Sequence, residues 1–213
     1  MSTAVVSIAA AIVDYDAGNL RSVQRACHEV GLEAEIVGDP DLLRRADRVI
    51  FPGVGAAGAA MQSLSRRGLG AALKEIIARG TPTLGICLGL QISLQYSEEN
   101  DTRTLGLFEG EVRRFQLTDR ALKVPHMGWN EVRGIKPHPL LAGLEAGDEY
   151  YYVHAYFPAP ADRNIVYAVS DYEQEFACAL GRDNYFATQF HPEKSGRVGL
   201  RLLRAFAGWE GTC

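Results

Sequence analysis

Cysteine is scarce. Four cysteines in 213 residues (Cys27, Cys87, Cys178 and Cys213) stand far apart, with no C-x-x-C pair. In a chain this long that does not read as a disulfide framework, and it fits a reducing compartment. There is no basic surplus either. Lys and Arg total 22 against 26 Asp and Glu, a net charge of -4, so the electrostatic footprint of a nucleic-acid binder is missing. The pairs Arg44-Arg45 and Arg113-Arg114 read as solvated surface. No apolar run approaches the ~20 residues that cross a bilayer. Ala4–Val13 is too short and lacks the basic n-region of a signal peptide. Val49–Ser65 is uncharged but broken by Pro52, Gly53, Gly55 and Gly58. The expected location is the cytoplasm. Internal repeats and low-complexity linkers are also missing. What remains is an ordinary globular composition, 47% hydrophobic and 23% charged. A chain of this length buries roughly 70% of its unfolded surface and needs no staple. Residues 1–213 are expected to form one domain.

The first half alternates strand and helix signals. Ala4–Val13 is a continuous apolar run, as in a central parallel strand covered on both faces. Leu20, Val23, Cys27 and Val30 recur at helical spacing, with Gly31 where a terminating glycine belongs. Glu33–Val37 and Arg48–Phe51 read as the second and third strands. Helices over Ala56–Arg66 and Leu69–Arg79 follow, the latter ending at Gly80. Thr83–Ile86 reads as the fourth strand, with a helix over Leu88–Ser97. This alternation predicts an α/β fold with a mostly parallel sheet flanked by helices. The second half is β-rich: Gly110–Phe115, Tyr150–Phe157, Ile165–Ser170, Phe176–Leu180 and Tyr185–Phe190, with a hairpin loop at Gly181-Arg182-Asp183-Asn184. Additional antiparallel strands are expected there, then a helix over Gly196–Ala207.

The most informative local feature is Gly85-Ile86-Cys87-Leu88-Gly89, placed where a strand hands over to a helix. A tight strand-to-helix turn strains its central residue and crowds the flanking backbone, so glycines two residues either side have a physical reason. This is the elbow logic of G-x-S-x-G with a thiol in place of the hydroxyl. An ordinary thiol is only a few per cent ionised at neutral pH, so a base is wanted. Among five histidines, His28 reads as helix surface and His138, between two prolines, as loop. His191 ends an apolar strand and begins His191-Pro192-Glu193. In an extended segment, side chains two apart point the same way, so Glu193 is placed to orient the imidazole. Pro52-Gly53-Val54-Gly55 follows the third strand, at the sheet edge where open α/β folds bind ligands. Its backbone N–H groups, with that of Leu88, are candidates for an oxyanion hole, each donor being worth ~10²–10³ in rate.

The same loop matches G-x-G-x-x-G over Gly53–Gly58, a dinucleotide-binding pattern. Pro52 precedes it, it follows the third strand instead of the first, and the acid ~20 residues on, Glu75, lies inside a helix pattern. A cysteine peptidase on the same elbow would account for Cys87 and His191 but not for the stretch His126–Asn130.

Taken together, Gly85–Gly89, Pro52–Gly55 and His191-x-Glu193 resemble the class I (triad) glutamine amidotransferases. The likeness extends over nearly the whole chain. Asp14-Tyr15 and Ala17–Val23, Pro125–Asn130 and Gln189–Ser195 are similar to the glutaminase subunits of imidazole glycerol phosphate synthases, enzymes of histidine biosynthesis. Leu90-Gln91 differs from the Gly-His-Gln of anthranilate-type glutaminases. The resemblance implies a flavodoxin-like fold and glutamine hydrolysis through a Cys87–His191–Glu193 triad. It implies that Gly53, Val54, Leu88, Gln91, His154, Ala155 and Tyr156 hold substrate or oxyanion. It implies a heterodimer with a (β/α)8-barrel cyclase subunit that receives the ammonia, and a glutaminase nearly inactive until that partner is loaded. Asn19, Met127, Trp129, Tyr152 and Lys194 are the interface candidates. No cofactor and no metal is implied. Two departures stand out: Asp16 where glycine is usual, and Ala155 where serine or threonine is usual. The run ahead of Asp14 is also longer than usual.

Overall fold

Alternation along the inner strands decides the layering. In the computed structural model, which describes residues 8–16 and 18–213, every residue of β1 (Ala10–Val13) is buried. Ala10 and Ile12 join one apolar cluster, while Ala11 and Val13 join another. A strand buried on both faces favours apolar residues at every position, as the Ala-Ala-Ile-Val of β1 shows. Of the expected first strand, Ala4–Ser7 lies outside the described residues, as does Ala17.

The chain continues through α1 (Leu20–Glu29), β2 (Ala34–Val37), α2 (Pro40–Leu43), β3 (Val49–Gly53), α3 (Ala57–Arg66), α4 (Leu69–Ala78), β4 (Thr83–Cys87) and α5 (Leu88–Gln91). Short strands follow: β5 (Tyr96–Ser97), β6 (Thr102–Arg103), β7 (Gly110–Arg114), β8 (His126–Glu131) and β9 (Arg133–Gly134). Then come β10 (Glu149–His154), β11 (Tyr156–Pro160), β12 (Val166–Tyr172), β13 (Gln174–Arg182), β14 (Tyr185–Thr188) and α6 (Gly196–Gly208). The main sheet has eight strands in the order β2-β1-β3-β4-β14-β13-β12-β9. The first five are parallel neighbours, and the last three are added antiparallel. α1 and α6 cover one face through Val23, Cys27, Leu202 and Phe206; α2, α3 and α4 cover the other through Leu43, Leu64, Leu73 and Ile76. A β8–β10 ribbon and a four-stranded sheet, β11-β7-β5-β6, stand beside this layer.

Three expected features differ. The helix expected over Leu88–Ser97 stops at Gln91. The carbonyls of Ile92, Ser93 and Leu94 accept N–H groups from residues 105–108, so the helical ladder is replaced by contacts from another segment. The single strand expected over Tyr150–Phe157 is two strands in different sheets, with the switch at Ala155: β10 pairs with β8, and β11 pairs with β7. The hairpin loop is tighter than expected, since Gly181 and Arg182 already pair with Phe186 and Tyr185.

Candidate active site

Three neighbouring parallel strands, β3, β4 and β14, bring distant parts of the sequence to one edge. Gly53 pairs with Cys87 at the ends of β3 and β4. On the other side of β4, Thr188 pairs with Ile86, and the chain runs on through Gln189 and Phe190 to His191. The register alone therefore puts the glycine loop, the thiol and the imidazole side by side over the carboxyl ends of the strands, where open α/β sheets bind ligands.

Cys87 is the strained residue the elbow logic demands, with φ +55° and ψ -104°. Positive φ in a non-glycine residue persists only where its surroundings over-determine it. The flanking glycines supply that constraint. A Cβ on Gly89 would lie 2.0 Å from the Phe51 carbonyl oxygen, and one on Gly85 2.6 Å from the Tyr185 hydroxyl. Only bare backbone lets the turn pack this close to β3 and β14.

His191 is buried, and its Nδ1 lies 2.8 Å from Glu193 Oε1. The local geometry is not the extended segment expected from the sequence. Pro192–Lys194 forms a single 3-10 turn, and the turn folds the carboxylate back onto the ring. The Ser195 hydroxyl donates to the His191 carbonyl at 2.6 Å, and the His191 N–H donates to Tyr151 on β10. Nε2 is buried with no hydrogen bond of ordinary geometry, so it is the free end of the ring. Burial opposes charging the imidazole; negative charge on the nearby Cys87 sulfur and on Glu193 outweighs it and pushes its pKa up to about 10. Gln189 Nε2 donates to Cys87 Sγ at 3.6 Å.

Cys87 and His191 line one pocket of about 230 Å³ with Val54, Gly55, Leu88, Gln91, Glu99, Pro125, Val153, His154, Ala155 and Tyr156. Gly53 lies on the neighbouring side, in a narrow crevice shared with Asn19, His191 and Glu193. Six of the seven residues expected to hold substrate or oxyanion thus border the pocket directly. His154 does so with a ring whose nitrogens are both engaged within the protein, Nδ1 with the Tyr156 carbonyl and Nε2 with His126. Glu99 is the residue the sequence reading missed. Its carboxylate accepts the Ala57 N–H at 2.7 Å and faces the pocket, yet it sits in a polar run, residues 97–101, that singles out no member. A larger furrow of about 950 Å³ runs along residues 131–146. None of Cys87, His191 and Glu193 borders it, so size does not identify the reactive site.

The interface candidates divide. Met127 and Trp129 are 63% and 53% exposed on the outer face of β8, and Asn19 and Lys194 are exposed. Tyr152 is a correction. It is 0% exposed, with its hydroxyl 2.7 Å from Ser170 Oγ, because even-numbered residues of β10 point inward; it offers a partner no surface. The dinucleotide pattern also fails: Glu75 is tied to Arg44 at 2.6 Å on the outside of α4, not at a strand end. Asp16 takes φ +68°, the left-handed conformation in which glycine is usual. Among the described residues no helix is long and apolar enough to cross a membrane.

The family described as glutamine amidotransferase class-I matches residues 11–207. Imidazole glycerol phosphate synthase subunit HisH of Chromobacterium violaceum is 47% identical over 208 residues, covering 94% of this chain and 98% of that protein. The subunit of the same name in Desulfovibrio desulfuricans is 50% identical over 201 residues, covering 92% of each. Among solved structures, a glutamine amidotransferase superposes with a TM-score of 0.73 at 18% identity, over 93% of this chain and 99% of that one. PurLQS from Thermotoga maritima gives 0.72 at 18% identity, over 92% and 96%. At such identities the structures speak for the fold alone.

Proposed function

The chain belongs to the class-I glutamine amidotransferases and, within them, to the imidazole glycerol phosphate synthase subunits HisH, and from that premise we propose that it is the glutaminase subunit of such a synthase in histidine biosynthesis, acting through Cys87, His191 and Glu193. Cys87 Sγ attacks the side-chain amide carbon of glutamine. His191 Nε2 holds the proton shed by the Cys87 sulfur and delivers it to the departing nitrogen, releasing ammonia. Water, deprotonated by the same nitrogen, then cleaves the thioester and frees glutamate and the thiol. Glu193 fixes the ring's orientation and favours its charged form. N–H groups of the Gly53–Gly55 loop and of Leu88 stabilise the oxyanion. Gln91, with the segment 154–156, forms the substrate wall. The Glu99 carboxylate suits the α-ammonium of an amino acid. Residues 1–213 act as one domain.

The ammonia passes to a (β/α)8-barrel cyclase subunit seated on the face that carries Asn19, Met127, Trp129 and Lys194. Met127 and Trp129 give that face two large exposed apolar side chains of the kind interfaces bury.

The single observation carrying this reading is the shared pocket: the strained Cys87 and the carboxylate-held imidazole of His191 line the same 230 Å³. The test is glutamate release by Cys87→Ala and Cys87→Ser in complex with the cyclase and its nucleotide ligand. Loss of release is expected; undiminished release would exclude the nucleophile. The lone subunit is expected to turn over glutamine slowly, and full turnover without the partner would contradict the dependence.

A further inference from the structure

β8 and β10 pair in a register that sets His126 directly opposite His154. Both rings point into the protein, 3% and 5% exposed, and together they form a continuous chain of hydrogen bonds. His154 Nδ1 lies 2.8 Å from the Tyr156 carbonyl oxygen, which can only accept, so the proton is on Nδ1 and Nε2 is a lone pair. His126 Nδ1, 3.0 Å from that lone pair, must then donate, leaving its own Nε2 to accept from Asn130 Nδ2 at 3.3 Å. Asn130 donates a second time, to the Asp171 carbonyl at 2.8 Å. Every member has one role and the direction is fixed.

At the other end the chain reaches the pocket. The Tyr156 carbonyl also accepts from Gln91 Nε2 at 2.9 Å, and Gln91 Nε2 donates to Gln189 Oε1 at 3.1 Å. Gln189 in turn donates to the Cys87 thiol. The surroundings keep both imidazoles uncharged. His126 lies flat between Tyr152 and Tyr172, at 4.9 and 4.0 Å, and Phe115 and Phe176 meet its edge. Phe115 and Phe176 also border His154. Burial pulls the two pKa values down to about 4 and about 3, and the other ionisable groups acting on His154, His126 and His191, oppose its charging too. An uncharged imidazole with one donor and one acceptor is the only form that fits between Asn130 and Tyr156; a second proton would set donor against donor.

Resting on the glutaminase reading, we propose that His126 and His154 are positioning residues: a two-imidazole relay through which the β8–β10 ribbon holds the Tyr156 carbonyl and the Gln91 amide at the wall of the glutamine pocket. The relay occupies the inner face of the strand whose outer face bears Met127 and Trp129. Breaking it strips the partly buried Tyr156 carbonyl of one of its two donors, so that Gln91 alone holds it, and leaves the buried His126 Nδ1–H without its acceptor.

Two measurements test the relay, both on the complete complex of this chain with its cyclase. Nitrogen-15 imidazole shifts of the wild type should show the proton on Nδ1 in both rings and no titration of either between pH 5.5 and 8. A proton on Nε2, or a ring that titrates in that range, would overturn the relay. In steady state, His154→Leu, which takes one donor from the Tyr156 carbonyl and leaves the buried His126 Nδ1–H unpaired, should raise the KM for glutamine roughly ten-fold, the usual scale for an unpaired buried polar group, with kcat changed much less. His154→Asn, whose Nδ2 stands near the lost Nδ1, should restore most of it. Unchanged KM in folded His154→Leu, or equal KM in both variants, would reject the positioning role. A wild-type complex that releases no glutamate would instead sink the glutaminase reading. The wild-type ring pattern answers separately and does not depend on any variant folding.

Discussion

The two sides of the pocket are built by different means. On the nucleophile side, position comes from backbone: three parallel strands in register, a cysteine held at φ +55°, and glycines that let Phe51 and Tyr185 crowd the turn. On the substrate-wall side, position comes from side-chain hydrogen bonds: Asn130, His126 and His154 form a chain that ends on the Tyr156 carbonyl, where Gln91 also donates. The first kind of construction is rigid because the main sheet is buried on both faces. The second belongs to a two-stranded ribbon that is marginal without its packing and depends on every polar group finding its partner. In the proposed reaction, the atoms that make and break bonds sit on the rigid side, and the groups proposed to recognise substrate sit on the polar side.

The largest effect should come from the rigid side. Cys87→Ala is expected to abolish glutamate release, on the scale of about 10⁶ seen when a nucleophile is deleted. The same variant also tests proximity. Cys87 is the strongest influence favouring a charged His191, so the imidazole pKa should fall from about 10 when the thiol is removed, read by NMR titration. A value unmoved by the substitution would mean that thiol and ring are not neighbours. The sign for stability follows. The folded pKa is raised, so His191 contributes stability fully below the unfolded value of ~6.5, and that contribution is lost as pH rises toward about 10.

Glu193→Gln should come next. The ring would keep a neighbour of the same shape but lose the carboxylate that favours its charged form. A fall in kcat of roughly 10²–10⁴ is expected, by analogy with other oriented imidazoles. A loss confined to KM would show that Glu193 serves the substrate and not His191. Gly89→Ala probes the backbone construction without touching a reacting atom. Its Cβ would meet the Phe51 carbonyl at 2.0 Å, so β3 and the elbow must part. A loss of about 1–3 kcal/mol is expected from such overpacking, measured by thermal or urea unfolding. An alanine tolerated at no cost would mean that the close approach does not hold the elbow.

The same contrast explains what could be read from the sequence. Gly85 and Gly89 were legible because a backbone constraint leaves its mark on the residues that make it. His191 and Glu193 were legible as a pair, although a 3-10 turn and not an extended segment joins them. The parallel strands were legible because burial on both faces favours apolar residues. The β-rich half was harder. Tyr150–Phe157 is aromatic or apolar almost throughout and has no turn residue at Ala155, so nothing local marks the change of partner from β8 to β7. Tyr152 is an interface candidate by resemblance alone, and it is buried because the inward phase of β10 is set by pairing with β8, a non-local fact. The helix over Leu88–Ser97 failed for a related reason: its carbonyls are claimed by residues 105–108. Glu99 acquires its meaning only from the pocket it faces.

The smallest effect concerns Asp16, which lies at the edge of the rigid side yet is held as the polar side is. Its φ of +68° is a position where glycine would sit without strain. Its carboxylate compensates: Oδ2 accepts from the Ser63 hydroxyl at 2.8 Å and from Arg66 at 3.1 Å, and Oδ1 accepts from Arg67 at 2.9 Å. The Ser63 hydrogen bond, with the two guanidiniums, holds its pKa below the usual carboxylate range. The contribution is therefore present above that range and lost as pH falls through the lowered value. The Asp16 and Arg66 side chains are exposed, so the effect is small. Asp16→Gly and Asp16→Asn separate the two causes. Glycine removes the strain and the anchors together; asparagine, which tolerates the left-handed region, removes only the charge. If the anchors matter, Asp16→Asn unfolds earlier than wild type at neutral pH and the gap closes in acid. If only conformation matters, Asp16→Asn matches wild type at every pH and Asp16→Gly exceeds both.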